Sequence, residues 1–219
     1  MERLICLVIG YFFGVFQTGF IYGKINHIDI RNYGSGNAGT TNALRTLGFK
    51  AGLITFLGDV LKVVLASLVV RLIYSDSHPD SITLFVLYSG IGTVLGHNFP
   101  FYLKFKGGKG IAATAGVVLS LGSWQMIVAG LIMFFIALII THYVSVGSLV
   151  MVLCVFAVFA LCGHYGLISG LESTYFAEAL IVFFAFVLLA FIRHKANIVR
   201  LLNGTERELT IKKKSDKNE

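Results

Sequence analysis

The sequence predicts an all-α, polytopic membrane protein: a bundle of seven spanning helices with its N-terminus outside and its C-terminus in the cytoplasm. Three observations predict it. Hydrophobic residues make up 56% of the 219 and charged residues only 13%, a more apolar balance than a single soluble core of this size requires. Apolar runs of ~18 or more residues recur, long enough to cross ~30 Å of hydrocarbon as helices and without the alternation of barrel strands. Lys and Arg concentrate in alternate loops, which sets the orientation.

The first segment, about 3–23, follows Met-Glu-Arg, and no small-residue cleavage site ends its apolar run, so it reads as a span rather than a signal peptide. The second, about 51–73, carries Asp59 and Lys62, whose spacing lets them neutralise each other; Lys104 and Lys109 are alternative partners for Asp59. The third, about 82–97, ends at His97. Residues 110–141 would measure about 48 Å as one helix at ~1.5 Å per residue, too long for one upright span. Gly122-Ser123 beside Trp124 breaks that stretch at an interface into 110–122 and 125–141. The last two spans are about 146–164 and 177–192. Cys6, Cys154 and Cys162 fall inside spans without pairing or metal spacing and read as packing residues.

With seven spans, the loops after the first, third and fifth share one side with the C-terminal tail. That side carries every Lys and Arg except Arg3, Lys62 and Arg71, which marks it as cytoplasmic. A six-span chain would place the tail opposite the 24–50 loop and lose the asymmetry. The membrane domain is expected to cover 1–209, and the basic stretch 210–219 to be disordered. The net charge of +7 points to anionic lipid head groups and phosphorylated small molecules, because no soluble basic domain exists to carry a nucleic-acid site.

Polar chemistry collects in four stretches on the basic side. Gly34-Ser35-Gly36-Asn37-Ala38-Gly39-Thr40-Thr41-Asn42, with Arg45 beyond it, has the glycines and donors to cradle an anion. Gly96-His97-Asn98-Phe99-Pro100 leads through Lys104 to Gly107-Gly108-Lys109-Gly110 and a small-residue helix whose N-terminus suits a phosphate. The Walker spacing is absent, so nucleotide hydrolysis is not supported. Thr141 to Ser148 opens the sixth span with hydroxyls that read as caps. In Arg193 to Glu206, helical spacing puts His194, Asn197 and Arg200 on one face, able to point together into a pocket; an interfacial amphipathic helix is the plainer reading. His97, His142 and His194 share this side, but no further ligand cluster accompanies them, so a metal site is not expected. A transporter of phosphorylated metabolites and a lipid-binding scaffold are the rival readings. The first needs more polar residues within the spans, and the second leaves the glycine motifs without a role.

These four motifs, in this order and at these separations, resemble the bacterial membrane acyl-phosphate:glycerol-3-phosphate acyltransferases, often called the PlsY family, over the whole chain. The resemblance implies a seven-span fold and transfer of a fatty acyl group from long-chain acyl phosphate to the 1-hydroxyl of glycerol 3-phosphate. The products would be lysophosphatidate and phosphate. It assigns Ser35, Lys104, His194 and Asn197 to catalysis, and Asn37, Thr41, Asn42, Arg45, Gly107, Gly108, Lys109, Gly110 and Ser145 to substrate binding. The general base is left between His194 and a substrate phosphate. No cofactor, metal or covalent acyl-enzyme is implied; the partners are the two substrates, membrane lipids and a soluble enzyme that makes acyl phosphate. Departures are Ala38 and Thr40, where Pro and Ala are more usual, and His142, where Arg is common.

Overall fold

The computed structural model describes residues 1–209, and the stretch expected to be disordered lies outside them. Among the described residues there are helices and no strands. Beside three short 3-10 turns, the α-helices in chain order are α1 (Glu2–Gly14), α2 (Thr18–Ile25), α3 (Thr40–Leu47), α4 (Phe49–Tyr74), α5 (Ile82–Asn98), α6 (Ile111–Leu121), α7 (Trp124–Thr141), α8 (Val144–His164), α9 (Ser173–Arg193) and α10 (Lys195–Leu202). Among the described residues, six stretches are long and apolar enough to cross a membrane: Glu2–Ile25, Phe49–Tyr74, Pro79–Leu103, Trp124–Thr141, Val144–His164 and Ser173–Arg193. The expected fourth span is the short α6, 11 residues and about 16 Å at ~1.5 Å per residue. Gly122, in the left-handed region at φ +69°, ends it, and α7 starts at Trp124, so the break falls where Gly122-Ser123 predicts.

The first span departs from expectation by breaking at Val15–Gln17 into α1 and α2. Close packing and buried polar groups cause the break. Gly10 and Gly14 of α1 lie against the Ser89 and Thr93 backbone of α5, and Gly92 and Gly96 of α5 against the Leu7, Tyr11 and Gly14 backbone of α1; a Cβ at any of the four would overlap the opposing main chain. The carbonyls released where α1 ends are then met by side chains. Lys62 Nζ donates to Phe16 O at 2.8 Å and Gly14 O at 3.3 Å, and buried Gln17 donates to Gly14 O at 3.3 Å and His97 O at 3.0 Å. An apolar interior has no water to serve those groups. Asp59 pairs with Lys62 at 2.9 Å, with both side chains buried, and not with Lys104 or Lys109.

Two ends of the bundle can be told apart by their contacts. At one, Arg193 donates to the Gly107 and Gly108 carbonyls, Lys109 reaches Asn197, and Leu209 N donates to His142 O at 3.0 Å. At the other, Thr83 N donates to Gly170 O at 3.0 Å, Glu172 N to Asp80 O at 2.9 Å, and Arg71 to Ser120 O at 3.0 Å. The four motif-bearing stretches all come to the first end. Between the ends, Phe159, Phe183 and Phe186 fill the contact of α8 with α9, the first two stacked at 4.6 Å.

Candidate active site

At the first end the helices enclose a cavity of ≈ 330 Å³ with two chemically distinct parts. Ser35, Asn37, Thr40, Thr41 and Arg45 line it from the first loop and α3; Lys109, Ser145, His194, Asn197, Arg200 and Glu206 line it from the other three stretches. Phe56 of α4, Ala112 and Ala115 of α6, Leu131, Phe134 and Phe135 of α7, and Met151 of α8 continue it as an apolar recess.

The first loop is braced from within. Asn42 is buried; its Nδ2 donates to Ile30 O (2.8 Å) and Tyr33 O (3.1 Å), while its Oδ1 accepts the Ser35 N–H (2.7 Å). Asn37 Oδ1 accepts the Gly39 N–H at 2.9 Å. Gly34 and Gly36, at φ +56° and +71°, make the turns this bracing needs. Asn42 therefore touches the cavity with its polar atoms already engaged. Hydroxyls of Ser35, Thr40 and Thr41 remain to meet a ligand. Thr40 Oγ1 is buried with no hydrogen-bond partner among the described residues, and the sequence reading left it out.

The second loop is built differently from the anion cradle that its glycines suggest. Gly107 N donates to Asn98 O (3.1 Å) and Gly108 N to His97 O (3.0 Å), so both N–H groups turn back onto α5. Their carbonyls accept from Arg193, whose guanidinium lies over the Phe99 ring at 5.1 Å. A Cβ on Gly108 would overlap the His97 ring, so that glycine makes room for an imidazole. Lys104 stands exposed in a left-handed turn, φ +56°. Lys104, Gly107, Gly108 and Gly110 do not line the cavity; Lys109 does, and so do Ile111 and Ala112 at the N-terminus of α6. Lys109 Nζ donates to Asn197 Oδ1 at 2.6 Å. Burial pushes its ammonium down to about 8, with Glu206 opposing the shift.

Ser145 and Ser148 do not cap α8: Tyr143 holds the N-cap position without a side-chain bond. Ser148 Oγ bonds back to Val144 O at 2.8 Å, and Ser145 Oγ donates to Glu206 Oε1 at 3.0 Å. Glu206 also accepts from Asn197 Nδ2 and, at 2.8 Å, from Arg200 Nε. Burial works to raise its carboxyl, but the donors Asn197, Arg200 and Ser145 outweigh it and hold the group below the usual carboxylate range. Glu206 thus joins α8 to α10, a role the sequence reading did not give it. The only signal was its place inside the fourth motif.

His194 is buried just past the end of α9, and it lines the cavity with Asn197 as expected. Its Nδ1–H donates to Ala190 O at 2.7 Å, which fixes the tautomer and leaves Nε2 as an acceptor. Burial, with the nearby Lys109 charge, pushes this imidazole down to about 4, so it is neutral near pH 7. Arg45 Nη2 donates to Arg207 O (3.1 Å) and Glu208 O (3.2 Å), drawing the segment after α10 across the cavity mouth. Among the described residues there is no group of three or more His, Cys, Asp or Glu able to hold a metal ion.

The fold defines a multi-pass membrane protein whose cationic pocket opens into an apolar recess. The family model described as glycerol-3-phosphate acyltransferase matches residues 4–204, and the chain belongs to that family of membrane acyltransferases. It is 41% identical over 216 residues to a glycerol-3-phosphate acyltransferase of Clostridioides difficile (strain 630), covering 96% of this chain and 97% of the relative. It is 39% identical to one of Bacillus subtilis (strain 168), over 91% of this chain and 94% of the relative. Its structure is similar to the crystal structure of PlsY (YgiH), described as an integral membrane glycerol 3-phosphate acyltransferase, in its glycerol 3-phosphate form. The TM-score is 0.80, with 29% identity and 96% of each chain covered. A lysophosphatidic acid form of PlsY matches with the same TM-score and 28% identity, over 96% of this chain and 97% of that one.

Proposed function

We propose that this protein transfers a fatty acyl group from a long-chain acyl phosphate to the 1-hydroxyl of glycerol 3-phosphate, giving lysophosphatidate and inorganic phosphate. One observation carries the reading: Arg45, Lys109 and Arg200 stand in a polar pocket that runs directly into the recess of Phe56, Leu131, Phe134 and Met151. A phosphorylated head and an acyl chain can occupy such a site together. The PlsY forms with glycerol 3-phosphate and with lysophosphatidic acid support the same pair of molecules.

The hydroxyl oxygen attacks the acyl carbonyl carbon, and the bond from that carbon to the phosphate oxygen breaks, phosphate leaving with the electron pair. A mixed anhydride has a good leaving group, so the work of the site is positioning and charge neutralisation. Lys109 and Arg45 neutralise the phosphates, and Ser35, Asn37, Thr41 and Ser145 orient them. His194 Nε2 accepts the attacking hydroxyl's hydrogen bond. With its imidazole pushed down to about 4, it is a poorer proton acceptor near pH 7 than phosphate, whose second ionisation lies near ~6. The proton therefore leaves on phosphate. Lys104, outside the cavity, has no place in this scheme.

The reaction runs at the cytoplasmic face of a seven-span bundle, α6 being the short span, with acyl phosphate supplied by a soluble enzyme that makes it. The basic loops that meet at the site end support this orientation. Cysteines introduced at 104 and 172 should label from opposite sides of the membrane; labelling from one side would sink the topology. The activity is tested with purified protein, radiolabelled glycerol 3-phosphate and either palmitoyl phosphate or palmitoyl-CoA. Lysophosphatidate should form from the acyl phosphate alone. Equal turnover with the CoA thioester overturns the donor, and no product from either overturns the function.

A further inference from the structure

Two carboxylates line the cavity, and only one is fully engaged by the protein. Glu206 Oε1 accepts from Ser145 and Asn197, and its Oε2 from Arg200. Asp59 differs. Its Oδ1 accepts from Lys62 Nζ at 2.9 Å and Thr18 Oγ1 at 3.4 Å and lies 3.6 Å from His97 Nδ1, whereas its Oδ2 accepts no hydrogen bond from the described residues. Lys62 balances the charge but is committed elsewhere: Nζ donates to the carbonyls of Phe16 and Gly14 and sits 2.8 Å from His97 Nδ1. A charged pair within a membrane bundle is costly, and an oxygen without a donor adds to that cost unless something donates to it.

A glycerol phosphate brings two hydroxyl donors into this cavity. His194 Nε2 meets the reacting one, as above, and the other needs an acceptor. Asp59 Oδ2 supplies it from α4, with its charge and its position fixed by Lys62. We propose that Asp59 accepts the hydrogen bond of the non-reacting hydroxyl and thereby selects polyol phosphates over deoxy analogues; this rests on glycerol 3-phosphate being the acceptor substrate. A hydrogen bond to a carboxylate is about twice as strong as a neutral one. A site built to bond a hydroxyl rejects an analogue without it, since the buried acceptor is then left unpaired.

The test compares glycerol 3-phosphate with 3-hydroxypropyl phosphate, which keeps the reacting hydroxyl and lacks the second, at fixed palmitoyl phosphate. The wild type should favour glycerol 3-phosphate by ~100-fold or more in kcat/KM. Asp59→Asn should cut that preference at least ~10-fold. The double variant Asp59→Leu/Lys62→Met removes both charges at once, so that a folding defect from one unpaired charge does not decide the result; it should bring the preference to within about threefold. A wild type that acylates both compounds equally overturns the assignment. So do variants that lose rate on both compounds alike, which would leave Asp59 as a tie between helices. If the wild type acylates neither compound, the acyltransferase reading falls and this assignment with it.

Discussion

The loops at 34–42 and 104–110 both interleave glycine with polar or basic residues ahead of a helix, yet they face opposite ways. In the first, internal bonds from Asn37 and Asn42 hold the backbone, and the Ser and Thr side chains turn to the cavity. In the second, the backbone itself is tied to α5 and Arg193, the glycines make space for His97, and one side chain, Lys109, reaches the cavity. Glycine in sequence does not tell a ligand cradle from a packing contact. The neighbour that occupies the missing Cβ does.

Replacing the one site residue of the second loop should have the largest effect. Lys109→Met is expected to lower kcat/KM by ~100- to 1,000-fold, the loss of a charge-assisted contact to a phosphate in a partly dry site. Lys104→Met should stay within about twofold. A large loss at Lys104 with little at Lys109 would reverse the comparison.

The same lysine sets a pH dependence. Its ammonium titrates at about 8, so the charge is present below that pH and lost as pH rises through it. Activity should fall about fivefold between pH 8 and 9. Lys109→Arg keeps the charge and should move the decline to higher pH. An unchanged profile in that variant would remove Lys109 as its source.

Next is packing. Gly108→Ala puts a methyl into the His97 ring and should cost ~1–3 kcal/mol of stability by thermal unfolding in detergent. Gly36→Ala meets only the Arg31 carbonyl oxygen at 3.4 Å and should cost about 1 kcal/mol, from its positive φ. Among the residues that line the cavity, the smallest effect belongs to Ser145→Ala. Losing one hydroxyl that also bonds Glu206, which keeps Asn197 and Arg200, should slow turnover by only ~3- to 10-fold; an unchanged rate would remove Ser145 from the groups that orient the phosphates.

Much of the fold was legible in the sequence, because burial in lipid demands long apolar runs and charges at their ends. Six of the expected spans appear as long apolar stretches, and Gly122 breaks the fourth from the fifth as its neighbours suggested. The break in the first span was not legible. It arises from Gln17 and Lys62 serving carbonyls near them in space, and neither residue has a local signature. The site was legible in part: His194, Asn197, Arg45 and Ser35 converge as expected, while Lys104 stays outside, Asn42 braces a loop, and Thr40 and Glu206 stand in positions that were not anticipated.

The sequence alone determined that this is a helical membrane protein whose basic loops share one side, since hydropathy and charge act residue by residue and need no partner. Its four motifs also identified the family. The tertiary structure decided which side chain of each motif does chemistry. That choice depends on what lies across the gap: His97 against Gly108, Arg193 on the Gly107 and Gly108 carbonyls, Glu206 between Ser145 and Asn197. Each of these pairs brings together residues from different elements, and no local pattern along the chain encodes such an approach.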